Sequence, residues 1–232
     1  MKVTKILLES LASEKTYKVL EDLDKNGELE KIIPKIVDMK SAGECKYHVL
    51  NCFDHSLKAL EELENIIGLD NGFSGHLDTH IRKYLSTPVS GQITKFHILK
   101  LGVFLHDIGK YDSKTIDETG RVHFTNHENV GAEIVKGLCT NLELDKEVSE
   151  LLYKYVKHHM TLLSFYKKNS IEKKELFGIF DILKDDVIGV IILGYADIVA
   201  TRKLLNPKED MGVVATYMEY ILTNYLYRYL KN

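Results

Sequence analysis

Apolar residues recur at intervals of three and four along most of the chain, a spacing that predicts helices almost throughout. The clearest example is the segment 51–67, where Phe53, Leu60 and Ile67 share one face and Gly68 follows as a stop signal. Further helices are predicted within 1–25, 29–39, 93–108, 128–139, 145–160, 171–183, 187–203 and 211–230, with a short helix ending at Leu85. The pattern therefore predicts an all-α fold.

One long stretch lacks helical periodicity, the segment 111–126 with the sequence YDSKTIDETGRVHFTN. Its DETG predicts a turn and its RVHF a short strand. No internal repeat or low-complexity linker is present, which favours a single compact multi-helix domain. The polar turn from Lys25 to Glu28 is the best boundary that the chain offers. We therefore expect residues 1–27 to be an N-terminal helical extension packed on the core, and residues 28–232 to be the main domain.

The composition is that of an ordinary globular protein, with 44% hydrophobic and 28% charged residues among 232. A net charge of -3 provides no general field for nucleic acid, so an anionic ligand would need a specific site. Three cysteines without paired spacing argue against a disulfide framework and favour a reducing compartment. The N-terminal MKVTKILLES does not fit a signal peptide, and no apolar run approaches the length of a membrane span. We expect a cytoplasmic protein that does not bind membranes.

Five predicted helices carry a histidine or an aspartate at the edge of an apolar face. These residues are His55, His106, Asp107, His127, His158, His159 and Asp197. Asp197 requires an explanation because it interrupts an otherwise uncharged run from Val187 to Thr201, and a buried carboxylate without a partner is costly. Each group taken alone could be an ordinary hydrogen-bonded residue. Five such coincidences together favour convergence on a divalent metal centre.

Imidazole and carboxylate ligands suit Mn, Fe, Co, Ni or Zn, and also Mg if water completes the coordination. His106 and Lys110 are four residues apart, so they would share a helical face if the helix continues that far. An ammonium beside the metal would attract an anionic oxygen, for which phosphate is the obvious candidate. Of the doubled histidines, His159 has the better helical phase with the apolar stripe.

These residues resemble the signature H…HD…D of the HD superfamily of metal-dependent phosphohydrolases. His55, the pair His106 and Asp107 in HDIGK, and Asp197 match it in order. Members with two metals add a histidine after the HD pair and another, often doubled, before the last aspartate. NHENVGAEI and YVKHHM supply these histidines.

From about Glu28 to Arg202 the chain is similar to the HD domain attached to bacterial tRNA nucleotidyltransferases, the CCA-adding enzymes. Their nucleotidyltransferase head carries a Gly-Gly motif, which occurs nowhere in this sequence, so nucleotide addition is not expected. The chain also has Asn126 where the family more often has glycine before the histidine, and asparagine tolerates the same left-handed backbone.

The resemblance implies a metal-dependent phosphohydrolase acting on a nucleotide or nucleotide-like phosphoester, as a phosphatase or a 2',3'-cyclic phosphodiesterase. One ion would be held by His55, His106, Asp107 and Asp197, and Asp107 could bridge to a second ion at His127 and His158 or His159. Water activated by the metal would be the nucleophile, and Lys110 would stabilise charge on the phosphoryl oxygens. With one ion only, His127 and the doubled histidines become candidates for proton transfer.

Three further predictions are less specific. His48 could touch substrate or serve helix packing, and Arg202 could hold a phosphate or lie at a solvated helix end. The substrate is expected to be a small phosphorylated molecule, with an RNA end and a homodimer left open. Two rival hypotheses stand beside the enzyme: a catalytically weak nucleotide- or RNA-binding module that keeps the metal site, and an interaction protein whose histidines only pack.

Overall fold

A computed structural model describes residues 2–42, 50–68, 73–206, 208 and 211–230. These residues form thirteen α-helices: α1 Lys2–Leu11, α2 Thr16–Lys25, α3 Leu29–Ile32, α4 Ile36–Ser41, α5 Cys52–Gly68, α6 Gly75–Leu85, α7 Lys95–Leu105, α8 His127–Asn141, α9 Lys146–His158, α10 Thr161–Lys168, α11 Lys173–Leu183, α12 Val187–Leu205 and α13 Gly212–Asn224. A 3-10 turn at Lys184–Asp186 precedes α12, and a π-helical turn at Tyr225–Tyr229 follows α13. The all-α prediction is confirmed.

Two short antiparallel hairpins interrupt the helices. Strands β1 Pro88–Ser90 and β2 Ile93–Thr94 pair before α7. Strands β3 Thr115–Ile116 and β4 Val122–His123 pair within the irregular segment, in register Ile116 with Val122. The expected turn lies between β3 and β4, closed by the amide of Gly120 on the carbonyl of Asp117 at 2.9 Å.

Helix α12 lies at the centre of the core and contacts α5, α7, α9, α10 and α13. Its residues 187–194 are all buried, as expected for a helix that is apolar on every side. Gly189 allows α9 to come close, because a Cβ there would lie 2.5 Å from the hydroxyl oxygen of Tyr155. This close packing fixes the position of Asp197 on the same helix relative to α9.

The N-terminal helices share this core. Leu7, Leu11 and Leu20 are fully buried. The buried Lys100 of α7 donates to the carbonyl of Ser13 at 2.6 Å and pairs with Glu64 of α5 at 3.1 Å. Buried polar contacts therefore attach the first two helices to the remainder of the fold, while the domain boundary at residues 27 and 28 stays a prediction.

The structure corrects the predicted elements at three places. Helix α7 begins at Lys95 instead of Ile93, because Ile93 pairs in β2 and Thr94 forms a capping box with His97. The same helix ends at Leu105, so His106 and Lys110 do not share a helical face. Helix α10 was not predicted, although Leu162 and Phe165 are buried at helical spacing. Among the described helices, none has the length and apolar character to cross a membrane.

Candidate metal centre

Five helices bring the candidate ligands to one buried place. His55 projects from α5 and Asp197 from α12, His127 begins α8, and His106 and His159 are the residues that follow α7 and α9. Their imidazole rings form a chain, with ring centroids 5.2 Å apart for His55 and His106 and for His106 and His159, and 5.0 Å apart for His127 and His159. The residues that the sequence separates by more than 140 positions are therefore neighbours in space.

Asp107 lies between two groups of imidazole nitrogens. Its Oδ2 is 3.3 Å from Nε2 of His106 and 3.9 Å from Nε2 of His55. Its Oδ1 is 3.4 Å from Nε2 of His127 and 3.9 Å from Nε2 of His159. Each group of three offers ligand atoms within 4.8 Å of one another, a spacing that could hold a metal ion.

Asp197 contacts the two histidines of the first group. Its Oδ1 lies 2.9 Å from Nε2 of His55 and 3.5 Å from Nε2 of His106. Because α12 is buried on every side at this level, the carboxylate faces the two imidazoles. This contact accounts for the single charge in the apolar run from Val187 to Thr201.

Three of the histidines are oriented in the same way. Nδ1 of His106 donates to the carbonyl of Val103 at 2.7 Å. Nδ1 of His127 and of His159 donate to carbonyls three residues earlier, at 2.8 Å and 2.7 Å. Such a bond directs Nε2 inward, where it is a ligand atom once it carries no proton, and the same arrangement is found in ligating histidines. All three Nε2 atoms therefore face Asp107.

The unsatisfied atoms of the cluster fit a metal ion. Nε2 of His106 is buried and, in the described part of the chain, has no hydrogen-bond partner of acceptable geometry. Nε2 of His127 and Nε2 of His159 approach one another at 3.1 Å. Nδ1 of each ring already donates to a carbonyl, so in the neutral rings these two Nε2 atoms meet as two acceptors, whereas buried polar atoms normally find complementary partners. A divalent ion would satisfy them together with the carboxylates.

The electrostatics of the cluster favour a bound cation. Burial works to lower the pKa of His106, but Asp107 and Asp197 outweigh it and raise that pKa to about 10. Burial works to raise the pKa of Asp107, but the His106 and Lys110 cations outweigh it and hold the pKa well below its usual value. Burial and the neighbouring His106 lower the pKa of His159 to about 3, so its imidazole is neutral. Burial likewise works against ionisation of Asp197, but His106 keeps its pKa well below normal. The centre therefore combines two ionised carboxylates with a neutral His159, and a metal ion on Nε2 of His106 would take the place of that ring's second proton.

Lys110 contacts the same oxygen as the first histidine group. Its Nζ lies 2.6 Å from Oδ2 of Asp107, and its side chain is almost fully buried. Burial would lower the pKa of Lys110, but the Asp107 carboxylate outweighs it and raises the pKa, so the ammonium remains charged. The contact arises from the turn that follows α7 and not from a shared helical face.

Gly109 and Asn126 position α8 against the turn that holds the HD pair. A Cβ on Gly109 would lie 2.2 Å from the carbonyl oxygen of His127 and 2.5 Å from the amide nitrogen of Gly131, so only glycine permits this approach. Asn126 adopts the left-handed conformation with φ 68° and begins the helix. The backbone expected at this departure from the family pattern is confirmed.

Three predicted residues are not joined to the cluster. His158 belongs to neither group of potential ligands, and burial together with Lys157 and Lys154 lowers its pKa. Arg202 lies one and a half turns beyond Asp197, where it donates to the hydroxyl of Tyr166 at 2.9 Å. His48 lies outside the described residues.

Sequence reasoning missed the groups that orient the ligands. The accepting carbonyls belong to Val103, Phe124 and Val156, each three residues before a histidine, and backbone atoms leave no residue-type signal. The ring of Phe124, whose centroid is 5.8 Å from Nζ of Lys110, was missed as well. The sequence did offer one signal for this ring, because Phe124 lies three positions before the candidate ligand His127.

The comparison with protein families decides the classification. The sequence model of the HD domain matches residues 48–185, more than half of the 232 residues, and this range includes every candidate ligand except Asp197. The chain belongs to the HD domain family. HD domains are in general metal-dependent hydrolases of phosphate compounds and bind divalent metals. The family predicted from the H…HD…D pattern is confirmed.

Two curated relatives share parts of this HD domain. A CC-adding tRNA nucleotidyltransferase of Thermus thermophilus is 30% identical over 171 residues, which cover 69% of this chain and 36% of the relative. A bifunctional uridylyltransferase/uridylyl-removing enzyme of Mycobacterium tuberculosis is 36% identical over 77 residues, 33% of this chain and 8% of that enzyme. The chain thus spans about a third of the length of the first relative and under a tenth of the second.

Proposed function

We propose that this HD domain hydrolyses a phosphoester of a nucleotide or nucleotide-like substrate. One observation carries the proposal. The two oxygens of Asp107 are divided between two groups of imidazole nitrogens, and the Lys110 ammonium lies on one of these oxygens. A site that gathers cation ligands and a lysine in one place suits a phosphoryl group better than a neutral substrate.

His55, His106, Asp107 and Asp197 would hold one divalent ion, and Asp107, His127 and His159 a second. When bound, such an ion supplies Lewis-acid polarisation of a phosphoryl oxygen and lowers the pKa of water. This mixed set of nitrogen and oxygen ligands suits Mn, Fe, Co, Ni and Zn, and also Mg if water completes the coordination.

The protein's own residues would contribute orientation and charge. The carbonyls behind His106, His127 and His159 hold the three imidazoles so that their Nε2 atoms face inward. Lys110 would turn from Asp107 towards a non-bridging phosphoryl oxygen and stabilise the charge that develops there. The burial of these groups excludes bulk water, which strengthens each of these interactions.

The relatives support a nucleotide as the substrate. Their names refer to tRNA nucleotidyl transfer and to uridylyl removal, and both the nucleotidyl and the uridylyl group are nucleotide units. We therefore place mononucleotides, 2',3'-cyclic nucleotides and RNA ends bearing a cyclic phosphate ahead of simple phosphomonoesters.

A metal-supplemented phosphoester panel tests the proposal. The protein is stripped with a chelator, dialysed, and supplied with one divalent ion at a time. It is then assayed on mononucleotides, 2',3'-cyclic nucleotides, dinucleoside polyphosphates and an aryl phosphate. We expect Mn or Ni to stimulate hydrolysis of the phosphoester, and we expect a chelator to abolish it. Tight nucleotide or RNA binding without turnover under any ion would instead favour a binding module, and would contradict the proposed hydrolysis.

A further inference from the structure

Phe124 occupies a fixed position beside the candidate metal centre. It directly follows β4, its carbonyl oxygen accepts the Nδ1 hydrogen of His127 at 2.8 Å, and Asn126 in the left-handed conformation starts α8 two residues later. The backbone of Phe124 is therefore tied to a candidate ligand. Its side chain is half-buried, so part of the ring is accessible.

The ring borders the lysine to which the proposed function assigns the phosphate. Nζ of Lys110 lies over the ring of Phe124, 5.8 Å from its centroid. This separation is longer than the about 3.5–4.0 Å between heavy atoms in van der Waals contact, so the ammonium does not touch the centre of the ring. Nζ instead contacts Asp107 at 2.6 Å. A molecule whose phosphoryl group reaches Lys110 would thus carry its next chemical group towards the aromatic ring.

We propose that Phe124 stacks against the base of a nucleotide whose phosphoryl group is held at Lys110 and the candidate metal centre. This inference rests on the proposed function and specifies the substrate as one that carries an aromatic base. Stacking on an aromatic side chain tolerates any base, because every base has a π-face. Phe124 would therefore select nucleotides over base-free phosphoesters without strong preference among bases.

The test compares Phe124→Leu with Phe124→Tyr on matched substrates. Leucine keeps apolar volume and removes the ring, whereas tyrosine keeps the ring. Each variant is assayed on a nucleotide and on its base-free counterpart: a 5'-mononucleotide against ribose 5-phosphate, and a 2',3'-cyclic nucleotide against 1-O-methylribose 2',3'-cyclic phosphate. Dissociation constants for the same compounds are measured by calorimetry, which requires no turnover.

We expect Phe124→Leu to lose roughly 5- to 100-fold in nucleotide affinity and in kcat/KM, the range of one base–aromatic stack. The base-free compounds should change less than about twofold, and Phe124→Tyr should restore the nucleotide values. Equal losses on both members of a pair would show that the ring only positions Lys110, and would overturn the inference. Equal affinity of the wild-type protein for both members would overturn it as well.

Calorimetry separates this inference from the proposed function. If no phosphoester is hydrolysed but the ring still sets nucleotide affinity, hydrolysis is refuted and stacking stands. If hydrolysis occurs and Phe124→Leu hydrolyses both members of each pair like the wild type, stacking is refuted and hydrolysis stands. Thermal unfolding of both variants identifies any loss that comes from misfolding.

Discussion

Two buried polar clusters adjoin α9, one at Lys154 and Tyr155 and the other at His159 just after the helix, and they differ in how their hydrogen bonds are satisfied. In the cluster around Asp186, the carboxylate accepts from Lys95 at 2.7 Å and from Lys154 at 2.5 Å, and the Tyr84 hydroxyl reaches it at 3.3 Å. The Tyr84 hydroxyl also pairs with that of Tyr155 at 2.7 Å. Donors and acceptors match, as in a polar network that stabilises a fold.

In the candidate metal centre, hydrogen-bond donors and acceptors are not matched in this way. Three histidines donate one nitrogen to the backbone and direct the other inward, and Nε2 of His106 has no hydrogen-bond partner of acceptable geometry among the described residues. A network that only stabilised the fold would be destabilised by such atoms, because an unpaired buried polar group is costly. The comparison indicates that buried imidazole nitrogens without well-aligned hydrogen bonds, rather than burial of charge, mark a site prepared for a ligand.

The largest expected effect is that of Asp107→Ala. This substitution removes the one carboxylate shared by both histidine groups, so metal-dependent hydrolysis should fall about 10³-fold or more, since bound metal provides several kcal/mol of transition-state stabilisation. Steady-state assays on the preferred nucleotide check this, with circular dichroism as the test of folding. A folded Asp107→Ala protein with full activity would refute the role assigned to Asp107.

Lys110→Met should lower kcat by about 100-fold, the usual cost of losing one donor to a developing oxyanion. Methionine keeps the unbranched apolar shape and removes the charge, so metal content should be retained. The variant separates transition-state stabilisation from metal binding. An unchanged kcat in a metal-replete variant would contradict the role of the ammonium.

The doubled histidines provide a matched pair of substitutions. His159→Gln removes a nitrogen that faces Asp107, and its metal dissociation constant should rise by at least the roughly 10- to 100-fold seen when outer-shell partners are lost. His158→Gln, next to it but outside both ligand groups, should change the constant less than about twofold. Metal titration of both proteins checks the contrast, and the reverse ranking would show that the wrong histidine has been assigned.

Asp186→Asn should have the smallest effect on activity. Its effect on stability should be measurable. Burial acts to raise the pKa of Asp186, but bonds from Lys154 and Lys95 outweigh it and lower the pKa. A lowered carboxyl pKa stabilises the fold at a pH above the unfolded value of about 3.9, and this contribution disappears as the pH falls through the folded pKa.

The variant should therefore lose about 2–4 kcal/mol of unfolding free energy at pH 7, because two lysines lose their charged partner. The difference from the wild type should shrink as the pH falls below about 4. Urea denaturation at several pH values measures both. A difference that is constant with pH would show that the ion pairs with Asp186 do not provide the stabilisation.

The two clusters also show how far the sequence predicts the structure. The helices and the location of the ligand pattern follow from periodicity and from residue types at helix ends. The helical phase of His159 indicated the member of the pair that faces inward, and the structure places His159 in that position. The Asp186 cluster was not predicted, because KDDV reads as an ordinary polar turn and its partners come from α7, α9 and α6.

The remaining differences have two origins. The contact of Lys110 with Asp107 depends on how the chain turns after Leu105, which local periodicity does not encode. Helix α10 does carry a local signal, because Leu162 and Phe165 lie at helical spacing, but the segment is only eight residues long. Seven of the predicted site residues come together in the candidate metal centre, where the core fixes their side chains: His55, His106, Asp107, Lys110, His127, His159 and Asp197.

Metal stoichiometry tests the central claim most directly. The wild-type protein, Asp107→Ala and Asp186→Asn are each loaded with Mn, Ni or Zn, dialysed extensively, and analysed by elemental mass spectrometry. We predict at least one tightly held ion per chain in the wild type and in Asp186→Asn, and loss of that ion in Asp107→Ala. A wild-type protein that retains no stoichiometric ion under any of these loadings would contradict the account.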